Sequence, residues 1–230
     1  NYGTGAFVLR HTGADAVRVP GLLTSAGPST AWSKAYFLEG TVHAAGTSFE
    51  WLRDHFGFMN DVTKIDAAFA ASTQRVLCLP AIGGLGAPRW DYVTKTMWFG
   101  LDGKTQKADL VRGTAEGLCQ LVADIAAAMA GAGFPIERAR VAGGLSKANA
   151  MMAIQADALG ATLERRKEVE ATALGAAVLA VLASGGDASR MTKAPVEKVF
   201  SPRLDKAGRD AERAVWGRFV DAASRLSRAA

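Results

Sequence analysis

The sequence has little of what most catalytic and metal-binding signatures require. It holds two cysteines, Cys78 and Cys119, and three histidines, His11, His43 and His55. Each cysteine sits in an apolar segment, and neither has partners at metal-ligand spacing, so a zinc box and a secreted disulfide framework are both excluded. The thiols read as buried and reduced, as in a cytoplasmic protein. The histidines are dispersed, and no Ser/His/Asp or Cys/His arrangement supports nucleophilic catalysis. No apolar run reaches the roughly 18 residues of a membrane span. The best stretch, Ala176 to Ala183, is short and rich in alanine. No signal peptide is visible. Charge of one sign is not concentrated: the net charge is +5, but the signs alternate and no basic stripe carries interleaved aromatics. Neither nucleic acid nor a membrane is therefore an expected partner.

Glycine is what the chain has in excess, with 25 residues against an average usage of roughly 7%. Three glycine features stand out. Arg140 to Asn149 (RVAGGLSKAN) reads as a short apolar strand, a Gly143-Gly144 turn and a helix start with Ser146 as N-cap. A strand-turn-helix unit of this kind leaves bare amides at the helix start, a natural seat for a phosphate or nucleotide. Gly3-Thr4-Gly5 opens a strand with a turn whose backbone can wrap an anion. Gly83, Gly84 and Gly86 lead into Ala87-Pro88-Arg89-Trp90-Asp91, a loop shaped by glycine and pinned by a large ring.

Between these features the pattern alternates strand and helix. Strands are expected at Ala6–Arg10, Ala16–Val19, Ala35–Val42, Arg75–Leu79, Thr96–Leu101, Arg138–Ala142 and Ala161–Glu164, with a turn at His11–Asp15 and a loop over 20–33. Ala44–Phe56 reads as a helix with Phe49, Leu52 and Phe56 on one face and Gly57 as its C-cap, and a shorter helix spans 61–71. Lys107–Ala130 is a long amphipathic helix facing inward through Leu110, Thr114, Leu118, Leu121, Ile125 and Met129. Thr172–Leu182 is a helix of small residues. Leu204–Arg228 is a helix with Val215, Trp216 and Phe219 inward and its basic residues in solvent. The fold class is α/β, helices covering a mixed sheet with an antiparallel edge.

The order and content of the glycine features resemble the C-terminal domain of the FGGY carbohydrate kinases, of the glycerol-kinase kind. Asn1 to Phe7 looks like that family's phosphate turn, and Gly84-Leu85-Gly86-Ala87-Pro88-Arg89-Trp90-Asp91 like its most specific stretch. Phe99-Gly100-Leu101 with Asp109 to Glu116 resembles a second signature, from which Gly113 and Ala115 depart. Val141 to Asn149 resembles the adenosine motif, and Thr172 to Ala177 the helix after it.

The resemblance implies an actin-like ATPase, ribonuclease H-like domain, with residues 1–230 as the C-terminal nucleotide-binding domain of a longer protein. It implies ATP-dependent phosphorylation of a sugar or polyol hydroxyl, with Mg²⁺. Gly3, Thr4 and Gly5 then meet the β- and γ-phosphates, and Gly86 the phosphates or ribose. Gly143, Gly144 and Asn149 meet the adenosine, and Phe7 the substrate. The general-base aspartate is expected upstream of Asn1, and most sugar contacts in an N-terminal domain, so this chain alone is expected to fold without turning over. A dimer or tetramer is expected at full length. Two other readings are a non-catalytic actin-like scaffold and an unrelated α/β enzyme with incidental glycines.

Overall fold

A computed structural model describes residues 1–28, 34–59, 61 and 64–229. The chain opens with β1 (Ala6–Gly13), β2 (Leu23–Ala26) and β3 (Tyr36–Val42), an antiparallel sheet in the order β1-β3-β2. This corrects the expected strand at Ala16–Val19, which pairs in no sheet. The partner of β1 is β3, and β1 runs on through the expected turn as far as Gly13, with a register shift between His11 and Gly13. The His11 ring lies 5.2 Å from Phe37, a cross-strand contact that holds the extension. β2 falls inside the expected loop. Pro20 and Pro28 bracket this strand rather than interrupt it, so every β2 residue keeps its N–H for pairing with β3. Residues 29–33 of that loop lie outside the described residues.

Next come α1 (Gly46–Phe56), α2 (Ile65–Ala71), and the antiparallel pair β4 (Leu77–Leu79) and β5 (Met97–Phe99). Phe49 and Leu52 of α1 are buried as expected, but Phe56 is 46% exposed and packs edge-on against Trp51. Gly57 ends α1 in the left-handed conformation. The second helix begins at Ile65 rather than 61, and 62–63 lie outside the described residues.

The axis of the molecule is α3 (Lys107–Gly131). Its start is fixed by a reciprocal cap in which the Asp109 carboxylate accepts from the Gln106 amide at 2.8 Å. It buries more than one stripe, because Val111, Ala115, Cys119 and Val122 are as enclosed as Leu118, Ile125 and Met129. Gly117 lies directly beneath the β4 backbone at Cys78 and Gly113 beneath that of Val76 just before it, which explains why nothing larger stands at Gly113.

A third sheet holds β6 (Arg138–Val141), β7 (Thr162–Arg166) and β8 (Val196–Phe200). β6 and β7 run parallel, with β8 antiparallel to β7. β8 has no counterpart in the sequence reading: four of its five residues are exposed, and only Phe200 is buried. The helices of this part are α4 (Asn149–Leu159), α5 (Ala171–Ala183) and α6 (Lys206–Ala229). Trp216, Phe219, Val220 and Ala223 seat α6 on the core. The basic face of this tail is not purely solvated. Arg213 pairs with Asp124 of α3, Arg228 with Asp91 at 2.6 Å, and Arg203 with Asp157 at 2.9 Å.

Candidate functional site

The Gly3-Thr4-Gly5 turn is held from two sides. On one, the Ala45 and Gly46 amides at the head of α1 donate to the Thr4 and Gly3 carbonyls at 2.8 and 2.9 Å. On the other, the Tyr2 amide donates to the Ala142 carbonyl at 2.8 Å, tying the turn to the end of β6. The buried Tyr2 ring points into the core, where its hydroxyl donates to Gln155 Oε1 at 2.7 Å and Gln155 Nε2 donates to the Cys119 carbonyl. The turn therefore sits on a rigid base. Its carbonyls are consumed, while the Thr4 and Gly5 amides and the Thr4 hydroxyl have no partner among the described residues.

Gly86 stands beside the same structure. A Cβ there would run into the Thr41 carbonyl and lie 3.3 Å from the His43 ring, and the Ala87 amide donates to Thr41 at 2.9 Å. Thr41 to His43 closes β3 and leads into the α1 head that grips Gly3 and Thr4. His43 stacks on Tyr92 at 5.4 Å, so the glycine-rich loop is pinned by Tyr92 as well as by Trp90, whose indole N–H donates to the Gly21 carbonyl. Sequence reasoning singled out Trp90 but not His43 or Tyr92. Nothing local marks a contact between a strand end and a loop some 50 residues later. The Asp91 carboxyl is held below its ordinary value, first by the Thr94 hydroxyl that donates to it.

Gly143 lies at φ +90°, and a side chain there would collide with the Tyr2 carbonyl and the Asn1 side chain. Only glycine fits this crossing. Gly144 is exposed and its amide is unpartnered among the described residues, as is that of Gly86. Two expectations about the helix that follows are corrected. Ser146 is not its N-cap: Gly144–Lys147 forms a separate 3-10 turn, and the Ser146 hydroxyl bonds back to the Gly143 carbonyl at 2.7 Å. Nor are the first amides of α4 bare. The Asp66 carboxylate accepts from Asn149 and Ala150 at 2.9 and 2.8 Å and already occupies the positive end of the helix. The Asn149 side chain accepts from Arg165 at 3.1 Å, which positions it at the edge of the loop.

The three glycine features are thus linked through Tyr2 and through the Thr41–Gly46 segment, with Phe7, 37% exposed, beside Gly5. The cavity of about 290 Å³ lined by Arg112, Asp157 and Arg213, among others, contains none of them. Among the described residues no group of three or more His, Cys, Asp or Glu could hold a metal. Both cysteines are buried, with the Cys78 thiol pushed up to about 12 by burial and that of Cys119 raised by the same cause. No described helix is long and apolar enough to cross a membrane.

A model for the FGGY family of carbohydrate kinases, C-terminal domain, matches residues 1–184. The chain is 39% identical over 228 residues to a glycerol kinase of Pasteurella multocida (strain Pm70), covering 95% of this chain and 45% of that protein. A crystal structure of Plasmodium falciparum glycerol kinase with ADP matches with a TM-score of 0.84 at 27% identity, over 96% of this chain and 46% of that one. A xyloylose kinase from Brucella ovis shares the fold, with a TM-score of 0.78 at 20% identity, over 99% of this chain and 48% of that one. The chain spans about half the length of the relatives it matches. The architecture is the actin-like one of these kinases, a mixed α/β layer with helices on its faces. With its phosphate-type turn, its glycine-rich loop and its Gly143 crossing inside the matched region, this chain belongs to the FGGY family of carbohydrate kinases and corresponds to their C-terminal domain.

Proposed function

We propose that this chain is the nucleotide-holding half of an ATP-dependent kinase acting on a hydroxyl of a small polyol or sugar, with glycerol the first substrate to test. The observation that carries this reading is the set of unpartnered amides at Thr4, Gly5, Gly86 and Gly144 on linked bends. Phosphoryl transfer asks a protein for positioning and charge stabilisation, and fixed backbone donors supply both with little reorganisation. Gly3, Thr4 and Gly5 hold the β- and γ-phosphates, and Gly86 the phosphates or ribose. Gly143, Gly144 and Asn149 border the adenosine, and Phe7 borders the acceptor's carbon skeleton. No described carboxylate cluster cages a metal. The chain's part is to bind the phosphates that carry Mg²⁺, and the ion when bound neutralises their charge. The proton acceptor for the substrate hydroxyl and most of the sugar pocket lie in the other half of the enzyme.

α5 supports a second half. None of its residues is buried, although it carries Leu174, Val178, Leu179 and Leu182. The Val169 carbonyl just before it accepts from the Gly143 amide at 2.9 Å. An apolar helix that starts beside the nucleotide loop is a surface for the N-terminal domain to close on. A cytoplasmic dimer or tetramer is the expected full-length form.

The test is ADP release by the full-length protein across glycerol, pentuloses and hexuloses. One acceptor is expected to drive turnover, and Thr4→Ala to lower kcat at least about 10-fold with a smaller change in acceptor KM. ATP binding without acceptor dependence would favour the scaffold reading instead.

A further inference from the structure

The family model matches residues 1–184, so α6 lies wholly beyond it. The last two turns of this helix nevertheless meet the glycine-rich loop of Gly84–Asp91 and the turn that follows it. Asp221, Ser224 and Arg228 stand at i, i+3 and i+7, one stripe of the helix. A separate stripe of Trp216, Phe219, Val220 and Ala223 enters the core. The Arg228 guanidinium donates to Asp91 Oδ2 at 2.6 Å, and Asp221 Oδ1 lies 3.5 Å from Arg89 Nη1. The Ser224 and Thr94 hydroxyls are 2.9 Å apart, and the Ser227 hydroxyl accepts from the Lys95 amide at 3.0 Å.

These contacts reach the residues that shape Gly86. Inside the loop, the Leu85 and Asp91 main chains exchange hydrogen bonds at 2.7 and 3.0 Å. The Gly86 carbonyl accepts from the Arg89 and Trp90 amides at 3.0 and 2.8 Å. Gly86 is thus enclosed in a small ring of backbone bonds that closes at residues 89–91. Arg89 and Asp91, the two ends of that closure, are the residues whose side chains α6 holds. Arg89 Nε also lies 3.8 Å from Asp124 Oδ2, the atom to which the Trp216 indole donates at 3.1 Å. The loop and α6 therefore share one buried carboxylate of α3. The Asp91 side chain is 11% exposed and that of Arg228 is 56% exposed. An ion pair open to water on one side adds little to global stability, so its consequence is local, on where the loop rests.

We propose that Arg89, Asp91 and Arg228 are positioning residues for the nucleotide. Through them the last two turns of α6 brace the loop, so that the unpartnered Gly86 amide keeps a fixed place beside the phosphates or ribose. A backbone donor works with little reorganisation only where its surroundings hold it still. Thr41 holds this loop at Ala87, and α6 holds it at Arg89 and Asp91. Arg228, at the far end of the relay, acts through the loop. The inference rests on the kinase reading for the identity of the ligand, and on these contacts for the brace itself.

The test is made on the full-length protein with Arg228→Ala, Arg228→Lys and a control, Leu226→Ala. Leu226 is 59% exposed and lies on the opposite side of the helix from Arg228. Arg228→Ala is expected to raise the ATP KM and the ATP Kd about 5-fold while kcat and the acceptor KM stay within about 2-fold, the split that lost nucleotide positioning produces. Amide exchange at Leu85 and Asp91 is expected to speed at least about 10-fold, with Leu118 of α3 unchanged. Arg228→Lys is expected to restore most of both effects, and Leu226→Ala to show neither. Unchanged exchange at Leu85 and Asp91 would overturn the proposal. Exchange that speeds equally at Leu118 would show that α6 only closes the core and would overturn it too. So would a loosened loop with unchanged ATP binding. Absence of acceptor-dependent ADP release in the parent protein would instead end the kinase reading, with ATP Kd and exchange still deciding the brace.

Discussion

Gly86 has no room for a side chain, since a Cβ would meet the Thr41 carbonyl. Gly86→Ala is expected to cost about 2–3 kcal/mol of unfolding free energy by forcing the loop off β3. Gly103→Ala, where nothing lies within 4 Å, is expected to stay within about 0.5 kcal/mol. Urea denaturation of both variants checks the contrast. Asp109 makes a different kind of residue-scale statement. It accepts from the Gln106, Gln74 and Thr73 amides and the Ser72 hydroxyl. These bonds, the Gln106 amide first, bring its carboxyl from an ordinary 3.8 to about 2. A carboxyl depressed in the folded state stabilises fully above its unfolded value and loses that contribution as pH falls through the folded one. Stability is therefore expected to drop from about pH 4 toward pH 2, and Asp109→Asn to flatten that slope in acid titrations. The glycines were legible because a tight bend leaves its mark in local sequence. Ser146 was misread because the same hydroxyl serves equally as an N-cap or as a bond back to Gly143, and only the 3-10 turn decides between them.

α4 shows how an element depends on partners far away in the chain. Its first amides are capped by Asp66 of α2, 83 residues earlier. Asp66→Ala is expected to cost about 1–2 kcal/mol and to loosen the Gly144–Lys147 turn, which thermal melts and exchange at Asn149 and Ala150 would register. Unchanged stability would show that water caps α4 equally well. The long helices α3 and α6 were legible because an amphipathic period of many turns outweighs local noise. β2 and β8 were not. Each is four or five residues with little burial, and each is a strand only because β3 or β7 offers it a ladder.

Across the whole molecule, α3 is enclosed by β4, β3, β1, α2 and α4, and both thiols lie in this interior. Trp216 and Arg213 of α6 converge on Asp124 of α3, closing the core from the C-terminal side. Because burial raises both thiols, Cys78 and Cys119 are expected to resist a thiol reagent at neutral pH and to react together only as the domain opens globally. Labelling of either one well before loss of the helical signal would contradict a single closed core.

The family, the fold class and the positions of the glycine bends were determined by the sequence alone, because each depends on which residues can occupy a tight backbone turn or one face of a helix. The tertiary structure alone decided which strands pair, which carboxylate caps α4, and that three distant bends share neighbours around Tyr2 and Thr41–Gly46. Those outcomes are set by hydrogen bonds and contacts between residues dozens of positions apart, and no local pattern encodes a partner's address.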